Sequence, residues 1–513
     1  MNFRYHVFGG KRTMIADIIK AIDMVAIQTP SAVAYNYLGQ TNTYAELKHF
    51  SDSLANYIDH LDLPAGSPII VYGDQTFSMI AVFLGCVKSG HAYIPVDLHS
   101  PNDRLTMIQA IAQPQLVIAV KPLPVKLLVA NTIEAPQLQA IFRQANPYQL
   151  THAVKDTDNF YIIFTSGTTG KPKGVQISHQ NLLSFVNWIL TDFGLPEKPT
   201  SLAQAPYSFD LSVMDLYPTL VMGGQLQVLP KAITDNFKTL FATLPSLSLN
   251  IWVSTPSLID ICLLEPNFKQ AKYPQLSHFM FCGEELTHQT AAKLKQRFPA
   301  AKIFNTYGPT ETTVAVTGIE ITTAILNDYQ RLPIGYAKAD TTVKIDPITP
   351  TKQSGELIIS GPSVSKGYLN SPEKTKQAFS EKGYRSGDLV TMTASGLIFY
   401  RGRTDFQIKL NGYRIELEEV DHYLSQQKLI KQAVAVPKYN QQHKVTALLA
   451  YVVLQTATDR PAFEVTKILK QQLQREMMAY MIPQRFIYRS SLPLTINGKI
   501  DVKAMIKEAN TND

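Results

Sequence analysis

Thr165 to Gly174 read TSGTTGKPKG and follow directly on the apolar run NFYIIF, which puts a glycine- and hydroxyl-rich loop at the end of a buried β-strand. A loop of that composition suits phosphate. Gly167, Gly170 and Gly174 let the backbone turn tightly and approach oxygen atoms, Thr165, Ser166, Thr168 and Thr169 supply hydroxyl donors, and Lys171 and Lys173 supply positive charge. It is not a Walker loop, because the positions that would need glycine and a hydroxyl residue hold Thr165 and Pro172. A polar turn between a strand and a helix would have a similar composition, so the nucleotide reading depends on what else the chain carries.

A chain of 513 residues exceeds what one hydrophobic core usually serves, and two or three domains are expected. Hydrophobic residues make up 45% and charged residues 17%, with no uninterrupted apolar stretch of spanning length, so the chain is not expected to span a membrane. The amino-terminal MNFRYHVFGGKRT lacks the continuous apolar segment of a secretory signal, which points to the cytoplasm; a first helix is expected from Met14. Cys86, Cys262 and Cys282 form no CxxC pair and sit in apolar surroundings, as reduced core thiols do. The net charge of +7 arises from 48 basic and 41 acidic residues scattered along the chain, which argues against a nucleic-acid partner.

Short apolar runs such as SPIIVYG, AYIPVD and QLVIAV alternate with helical patterns such as TFSMIAVFLGCVKSG, the rhythm of an α/β protein with largely parallel sheets. IWVSTPS, HFMFCGEEL and KIFNTYGPT repeat it, each ending an apolar run in a turn-prone segment where open α/β sheets form their crevices. The pattern then changes to a compact β-rich section around GELIISGPSVSKGYL and GLIFYRGRTDFQIKLNGYRIELEEV. Residues 404–513 are long enough for a small separate domain after a larger one spanning 1–403, with strand candidates QAVAVP and VTALLAYVVL and a helix over Phe463 to Met478.

Beyond the phosphate loop come FDLSVMDLYP, FCGEEL, NTYGPTETTVAVT, YRSGDL, YRGRTDFQIKLNGYRIELEEVD and LPLTINGKID, in that order. Together these segments resemble the adenylate-forming superfamily over nearly the whole chain, and most closely its D-alanine:D-alanyl carrier protein ligases. The resemblance implies an α/β fold: a large N-terminal domain of two α/β lobes plus a β-barrel section, with a small mobile α+β C-terminal domain. It also implies a reaction, in which D-alanine and ATP give D-alanyl adenylate and pyrophosphate with Mg²⁺. The D-alanyl group then passes to the phosphopantetheine thiol of a separate carrier protein for D-alanylation of teichoic acid.

An acyl adenylate forms when a carboxylate attacks the α-phosphorus of ATP in line with departing pyrophosphate, so positioning and positive charge dominate. By the resemblance, Thr165, Ser166, Gly167, Thr168, Thr169, Gly170 and Lys171 embrace the β- and γ-phosphates. Asn305, Thr306, Tyr307, Gly308, Pro309 and Thr310 bring the adenine onto Tyr307 and offer Thr310 to the α-phosphate, and Glu311 ligates Mg²⁺. Asp388 holds the vicinal ribose hydroxyls, which a carboxylate accepting two hydrogen bonds suits, while Arg403, within Tyr400, Arg401 and Gly402, reaches the sugar or the phosphates. Bland alternatives are a core aromatic for Tyr307, a helix cap for Glu311 and an ion pair at a domain edge for Asp388 and Arg403.

Asp210, in FDLS, is placed by the resemblance to pair with the α-ammonium of an amino acid, a need that branches activating fatty or aromatic acids do not share. A helix N-cap is its structural alternative, and the two roles are compatible. Cys282 and Val314 would line a pocket sized for a methyl group, with Cys282 restricting it, although one methylene discriminates by only about 1–3 kcal/mol. Lys499, in NGK, would bridge the substrate carboxylate and the α-phosphate as a mobile point charge. It cannot remain there while a thiol attacks the same carbonyl, so the small domain is expected to turn about a hinge at Asp405. Rivals are a stand-alone adenylation enzyme for another small amino acid, a short-chain acyl-CoA ligase, which would usually lack the FDxS aspartate, and a non-enzymatic nucleotide-binding protein. With no carrier segment or condensation HHxxxDG motif in this sequence, the acceptor is expected to be a separate molecule.

Overall fold

The computed structural model describes residues 14–167, 171–347, 354–440, 442, 444–456, 460–494 and 500–511. Of the residues singled out above, Thr168, Thr169, Gly170 and Lys499 lie outside the described residues. The first helix runs over Ile18–Gln28, not from Met14, because the Asp17 side chain accepts from the Lys20 N–H and caps it there.

The apolar runs of the first lobe become a six-stranded sheet in the order Asn131–Glu134, Leu116–Ala119, Ile69–Gly73, Tyr93–Asp97, Asn159–Thr165, Lys173–Ser178. Its central strands are parallel and buried along almost their whole length, which is why their sequences are continuous rather than alternating. The helix Phe77–Lys88 is also buried nearly all round, and its Lys88 is tolerated because Asp23 and Asp52 lie 2.7 and 2.6 Å from its ammonium. The edge strand Lys173–Ser178 runs antiparallel to Asn159–Thr165 with Thr165 opposite Lys173, so the two ends of the glycine-rich segment lie side by side.

The second lobe is a nine-stranded sheet in which Gln225–Val228, Thr200–Ala203, Ile251–Ser254, His278–Phe281 and Lys302–Tyr307 run parallel, each strand pairing with the next. Their carboxyl ends therefore open on one edge of the sheet, the expected place for a ligand. The β-rich section is a five-stranded antiparallel sheet built from Thr342–Pro347, Ser354–Ser360, Phe379–Ser380, Gly383–Met392 and Ile398–Arg403.

From Phe406 onward the chain builds its own core. A hairpin of Gln407–Leu410 and Tyr413–Glu416 leads into the helix Leu417–Ser425 and a three-stranded sheet of Ile430–Tyr439, Val445–Leu454 and Arg485–Tyr488. Alternation along those strands sorts the core onto two faces. Ala435, Ala450 and Val452 face Ile408, Leu410 and the helix Ala462–Glu476, whereas Val434, Val436 and Tyr451 face Leu492, Ile500 and the helix Val502–Thr511. The hairpin and the chain flanking position 499 thus sit on opposite faces of the small domain. No helix among the described residues is long and apolar enough to cross a membrane.

Candidate active site

The strand Lys302–Tyr307 delivers the NTYGPT segment to the crevice. Asn305 donates to the Pro333 carbonyl at 2.8 Å and Thr306 to the Phe281 carbonyl at 2.8 Å, so these two side chains fasten the strand end. Gly308 is required by close backbone approach: a Cβ there would lie 2.6 Å from Ala315 Cα and 2.8 Å from the Val314 carbonyl. Pro309 caps a single 3₁₀ turn of Thr310–Thr312, after which Thr313 and Val314 both adopt left-handed backbone with φ of 61° and 66°. A β-branched residue pays for that conformation, and the strain fixes Val314 at the crevice. Its carbonyl lies 3.6 Å from Cys282 Sγ, which brings the two pocket candidates together.

Asp210 stands at the N-cap position of the helix Leu211–Val221, yet its side chain makes no cap hydrogen bond. The carboxylate is left for something else. Burial raises it to about 6, against the lowering influence of the Thr310 side chain and the charges of Lys409 and Arg414. It therefore shares its electrostatic surroundings with Thr310 and Glu311, as expected of a single site.

Glu311 is fully buried and accepts from the Tyr368 hydroxyl at 2.8 Å and from the Arg414 guanidinium at 2.8 Å. Burial alone would raise its carboxyl, but Arg414 and Lys173 outweigh that and hold it at about 2, fully ionised. Lys173 lies 3.6 Å from Glu416 and 5.5 Å from the centre of the Tyr368 ring. At the end of the first lobe's hairpin strand, Ser166 donates to the Arg414 carbonyl at 3.0 Å and the Gly167 N–H donates to Glu419 at 3.0 Å. The Thr165 hydroxyl is buried without a hydrogen-bond partner among the described residues, while Lys171 is exposed.

On the other side of the hairpin tip, Asp388 accepts from the Tyr307 hydroxyl and, at 2.6 Å, from Arg403. Arg403 reaches across to Asp405 with two further bonds of 2.6 and 2.8 Å, clamping the expected hinge residue to the large domain. Lys409 projects over the Tyr307 ring, 5.6 Å from its centre. A cavity of about 440 Å³ is lined here by Asn305, Thr306, Tyr307, Tyr400, Arg401, Gly402, Arg403 and Lys409. A second, of about 640 Å³, runs from Thr165, Ser166, Phe209 and Thr310 past Tyr413 and Arg414 to the half-exposed Phe237. The hairpin separates the two, and Gly412 at its tip donates to Glu284 at 2.6 Å.

The described candidates thus converge on one crevice, together with partners that sequence reasoning did not single out: Tyr368, Lys409, Arg414, Glu416 and Glu419. The last four belong to the KLNGYRIELEE run, whose alternation of basic and acidic residues on a turn was the available signal.

The chain is similar to known proteins in sequence and in fold. The AMP-binding enzyme family matches residues 22–369, and the AMP-binding enzyme C-terminal domain matches residues 419–499. The chain belongs to the AMP-binding enzyme family. Curated relatives of this AMP-binding enzyme include the D-alanine--D-alanyl carrier protein ligase of Lactiplantibacillus plantarum, 62% identical over 506 residues that cover 97% of this chain and 100% of the relative. The protein of the same name from Streptococcus pneumoniae is 53% identical over 510 residues, covering 97% and 99%. Two solved structures share the fold. The o-succinylbenzoate CoA synthetase of Bacillus subtilis has a TM-score of 0.81 at 18% identity, covering 95% of this chain and 98% of its own. The adenylation domain AlmE of Vibrio cholerae, in complex with glycyl-adenosine-5'-phosphate, has a TM-score of 0.79 at 23% identity, covering 98% and 99%.

Proposed function

We propose that this chain activates D-alanine with ATP as D-alanyl adenylate, releasing pyrophosphate, and transfers the D-alanyl group to the phosphopantetheine thiol of a separate carrier protein for D-alanylation of teichoic acid. One juxtaposition carries the reading. The buried Asp210 carboxylate, which caps no helix N–H, interacts with the Thr310 side chain and the Glu311 charge, and its own charge reaches Cys282, which touches the Val314 carbonyl. Full-length relatives bearing the D-alanine--D-alanyl carrier protein ligase name support the same substrate and acceptor.

In this reading Asp210 pairs with the substrate ammonium and Cys282 with Val314 closes the pocket around a methyl group. The hydroxyls of Thr165 and Ser166 and the Gly167 N–H, with Thr168, Thr169, Gly170 and Lys171, hold the β- and γ-phosphates. Thr310 meets the α-phosphate, Tyr307 and its neighbours from Asn305 to Pro309 the adenine. Asp388 and Arg403, with Tyr400 to Gly402 beside them, hold the ribose. The donor set at Glu311 fits Mg²⁺: a buried, ionised carboxylate that requires a counter-cation, where a hard ion would keep its remaining places for phosphate oxygens and water. Mg²⁺ bound there would neutralise charge on the phosphates.

Lys499 brings an ammonium to the carboxylate and α-phosphate during adenylation, and Asp405 is the hinge between a domain of residues 1–403 and one of 404–513. The orientation described here, with the hairpin in the crevice and the flanks of position 499 on the far face, suits transfer. The cavity from Thr310 to Phe237 then serves as the thiol's approach. Use of ATP and three buried free cysteines favour the cytoplasm. The test is pyrophosphate exchange into ATP with D-alanine, L-alanine, glycine and a short fatty acid in parallel. Preference for D-alanine is expected; preference for glycine or the fatty acid would favour another amino acid adenylation enzyme or an acyl-CoA ligase, and no exchange would leave a nucleotide-binding protein.

A further inference from the structure

Tyr161, on the strand Asn159–Thr165, is fully buried, yet its hydroxyl has no hydrogen-bond partner among the described residues. Its ring lies 6.0 Å from that of Tyr93, whose own hydroxyl is paired with that of Tyr217 at 2.5 Å. Tyr217 stands on the helix Leu211–Val221, the same helix that Asp210 opens. Asp210 and the Tyr93 hydroxyl are the groups whose charge Tyr161 feels, and Tyr161 is in turn felt by Tyr217. An unpaired phenol thus shares one small region with a paired couple of phenols and with the carboxylate that the proposed function gives to the substrate ammonium. Buried hydroxyls are rarely left unpaired, because the hydrogen bonds they lose to water must be replaced. Polar neighbours on this scale also meet the requirement of a buried water, which needs two to four partners.

We propose that Tyr161 is a positioning residue of the amino-acid site: its hydroxyl acts through one buried water, shared with the Tyr93–Tyr217 pair, to donate to the Asp210 carboxylate and keep it ionised for the substrate ammonium. The inference rests on the reading of Asp210 as the ammonium's partner and deepens it by naming a group that supports the charge before substrate arrives. Burial disfavours the ionised form of Asp210, and a hydrogen bond donated to that form offsets the cost. Burial acts on Tyr161 as well and holds its phenol protonated well above the ordinary range, so it remains a donor at any working pH. The other groups that face Asp210 are of different kinds. Lys409 and Arg414 favour its ionised form but are mounted on the small domain's hairpin, Glu311 opposes it, the Thr310 side chain favours it, and Cys282 is kept a neutral thiol by burial. Tyr161 is fixed in the first lobe's sheet, opposite Ile177 of the edge strand, so its contribution does not depend on where the small domain sits.

The test is the pH profile of pyrophosphate exchange into ATP with D-alanine, from about pH 5 to about pH 8, on the full-length chain. Tyr161→Phe removes the hydroxyl and keeps the ring against Tyr93, so it probes the hydrogen bond without opening a cavity. Tyr207→Phe is the control. That hydroxyl is also buried and unpaired among the described residues, but the groups whose charge it feels are Tyr35, Asp215, Asp74 and Tyr93, not Asp210. The parent and Tyr207→Phe are expected to share an acid limb in kcat/KM for D-alanine near pH 6. Loss of a donor to the carboxylate makes it harder to ionise, so Tyr161→Phe is expected to move that limb up by about one pH unit. Its kcat/KM for D-alanine is then about fivefold lower near pH 6 and close to the parent's near pH 8, with KM for ATP unchanged. Coincident profiles for the parent and Tyr161→Phe, or an equal displacement by both substitutions, would overturn the proposal while leaving the role of Asp210 standing. If Asp210→Asn keeps the parent's kcat/KM for D-alanine and its acid limb, the assignment beneath fails and the proposal falls with it.

Discussion

The crevice is made by two regions that use charge differently. On the large domain, Asp210, Cys282, Thr310, Glu311 and Asp388 are buried at strand ends and turns, held by backbone geometry such as the left-handed pair Thr313–Val314. On the small domain, Lys409, Arg414, Glu416 and Glu419 arrive on a hairpin and the helix after it, with a hydrophobic core of their own and contact with the large domain largely through polar groups. The difference teaches where precision and exchange reside. On the proposed function, groups that recognise substrate in a fixed geometry are built into a sheet, and groups that come and go are mounted on a separately packed unit that meets the large domain through ion pairs and hydrogen bonds.

Breaking each side in turn should give unequal effects. The largest is expected from Lys499→Ala, lowering D-alanine-dependent pyrophosphate exchange about 10²- to 10³-fold, the scale of losing a charge-stabilising donor in a dry site. Next comes Asp210→Asn, which on the proposed role of Asp210 removes the counter-charge of the substrate ammonium and should reduce kcat/KM for D-alanine by roughly 10²-fold or more. The same residue sets a pH dependence. Only the ionised carboxylate can pair with an ammonium, so kcat/KM should hold above pH about 6 and fall as pH drops through that value, a limb that Asp210→Asn should lack.

On the exchangeable side, Arg414→Gln takes from Glu311 the guanidinium it meets when the hairpin is docked and leaves it only the Tyr368 hydroxyl, so transfer to a carrier thiol should slow about tenfold in single-turnover assays and exchange should change less. A subtler probe of the fixed side is Cys282→Gly, which enlarges the methyl pocket and should shift relative kcat/KM toward D-amino acids one carbon longer by about tenfold, since a methylene is worth about 1–3 kcal/mol. The smallest effect is expected at Lys444, whose ammonium lies 3.1 Å from Asp260 and 3.8 Å from Glu284 near the surface. Lys444→Ala should alter transfer by at most about fivefold, as partly exposed pairs contribute little.

Much of the fixed region was legible in the sequence. Continuous apolar runs ending in polar turns marked the parallel strands, and IWVS, HFMF and KIFNTY are three of them side by side. Residues close together along the chain, such as Cys282 beside the FCGEEL turn or Thr310 beside Glu311, could be placed because a strand end carries its neighbours with it. The exchangeable region was not legible in this way. Arg414 and Glu311 are separated by 103 residues and Gly167 and Glu419 by 252, and their meeting depends on how two separately packed cores dock, which leaves no trace in local periodicity. For Asp405 the resemblance implied a hinge, and the structure adds that Arg403, two residues before it, grips both its carboxylate oxygens. The first helix opens at Ile18 and not at Met14 for a simpler reason: the Asp17 cap outweighs apolar character as a start signal.

The most direct measurement is a crossed comparison of two variants in two half-reactions: pyrophosphate exchange with D-alanine, and transfer of preformed D-alanyl adenylate to a phosphopantetheine carrier. Lys499→Ala should lose exchange and keep transfer, while Arg414→Gln should lose transfer more than exchange. Parallel losses in both half-reactions for both variants would contradict a small domain that offers different residues to each step.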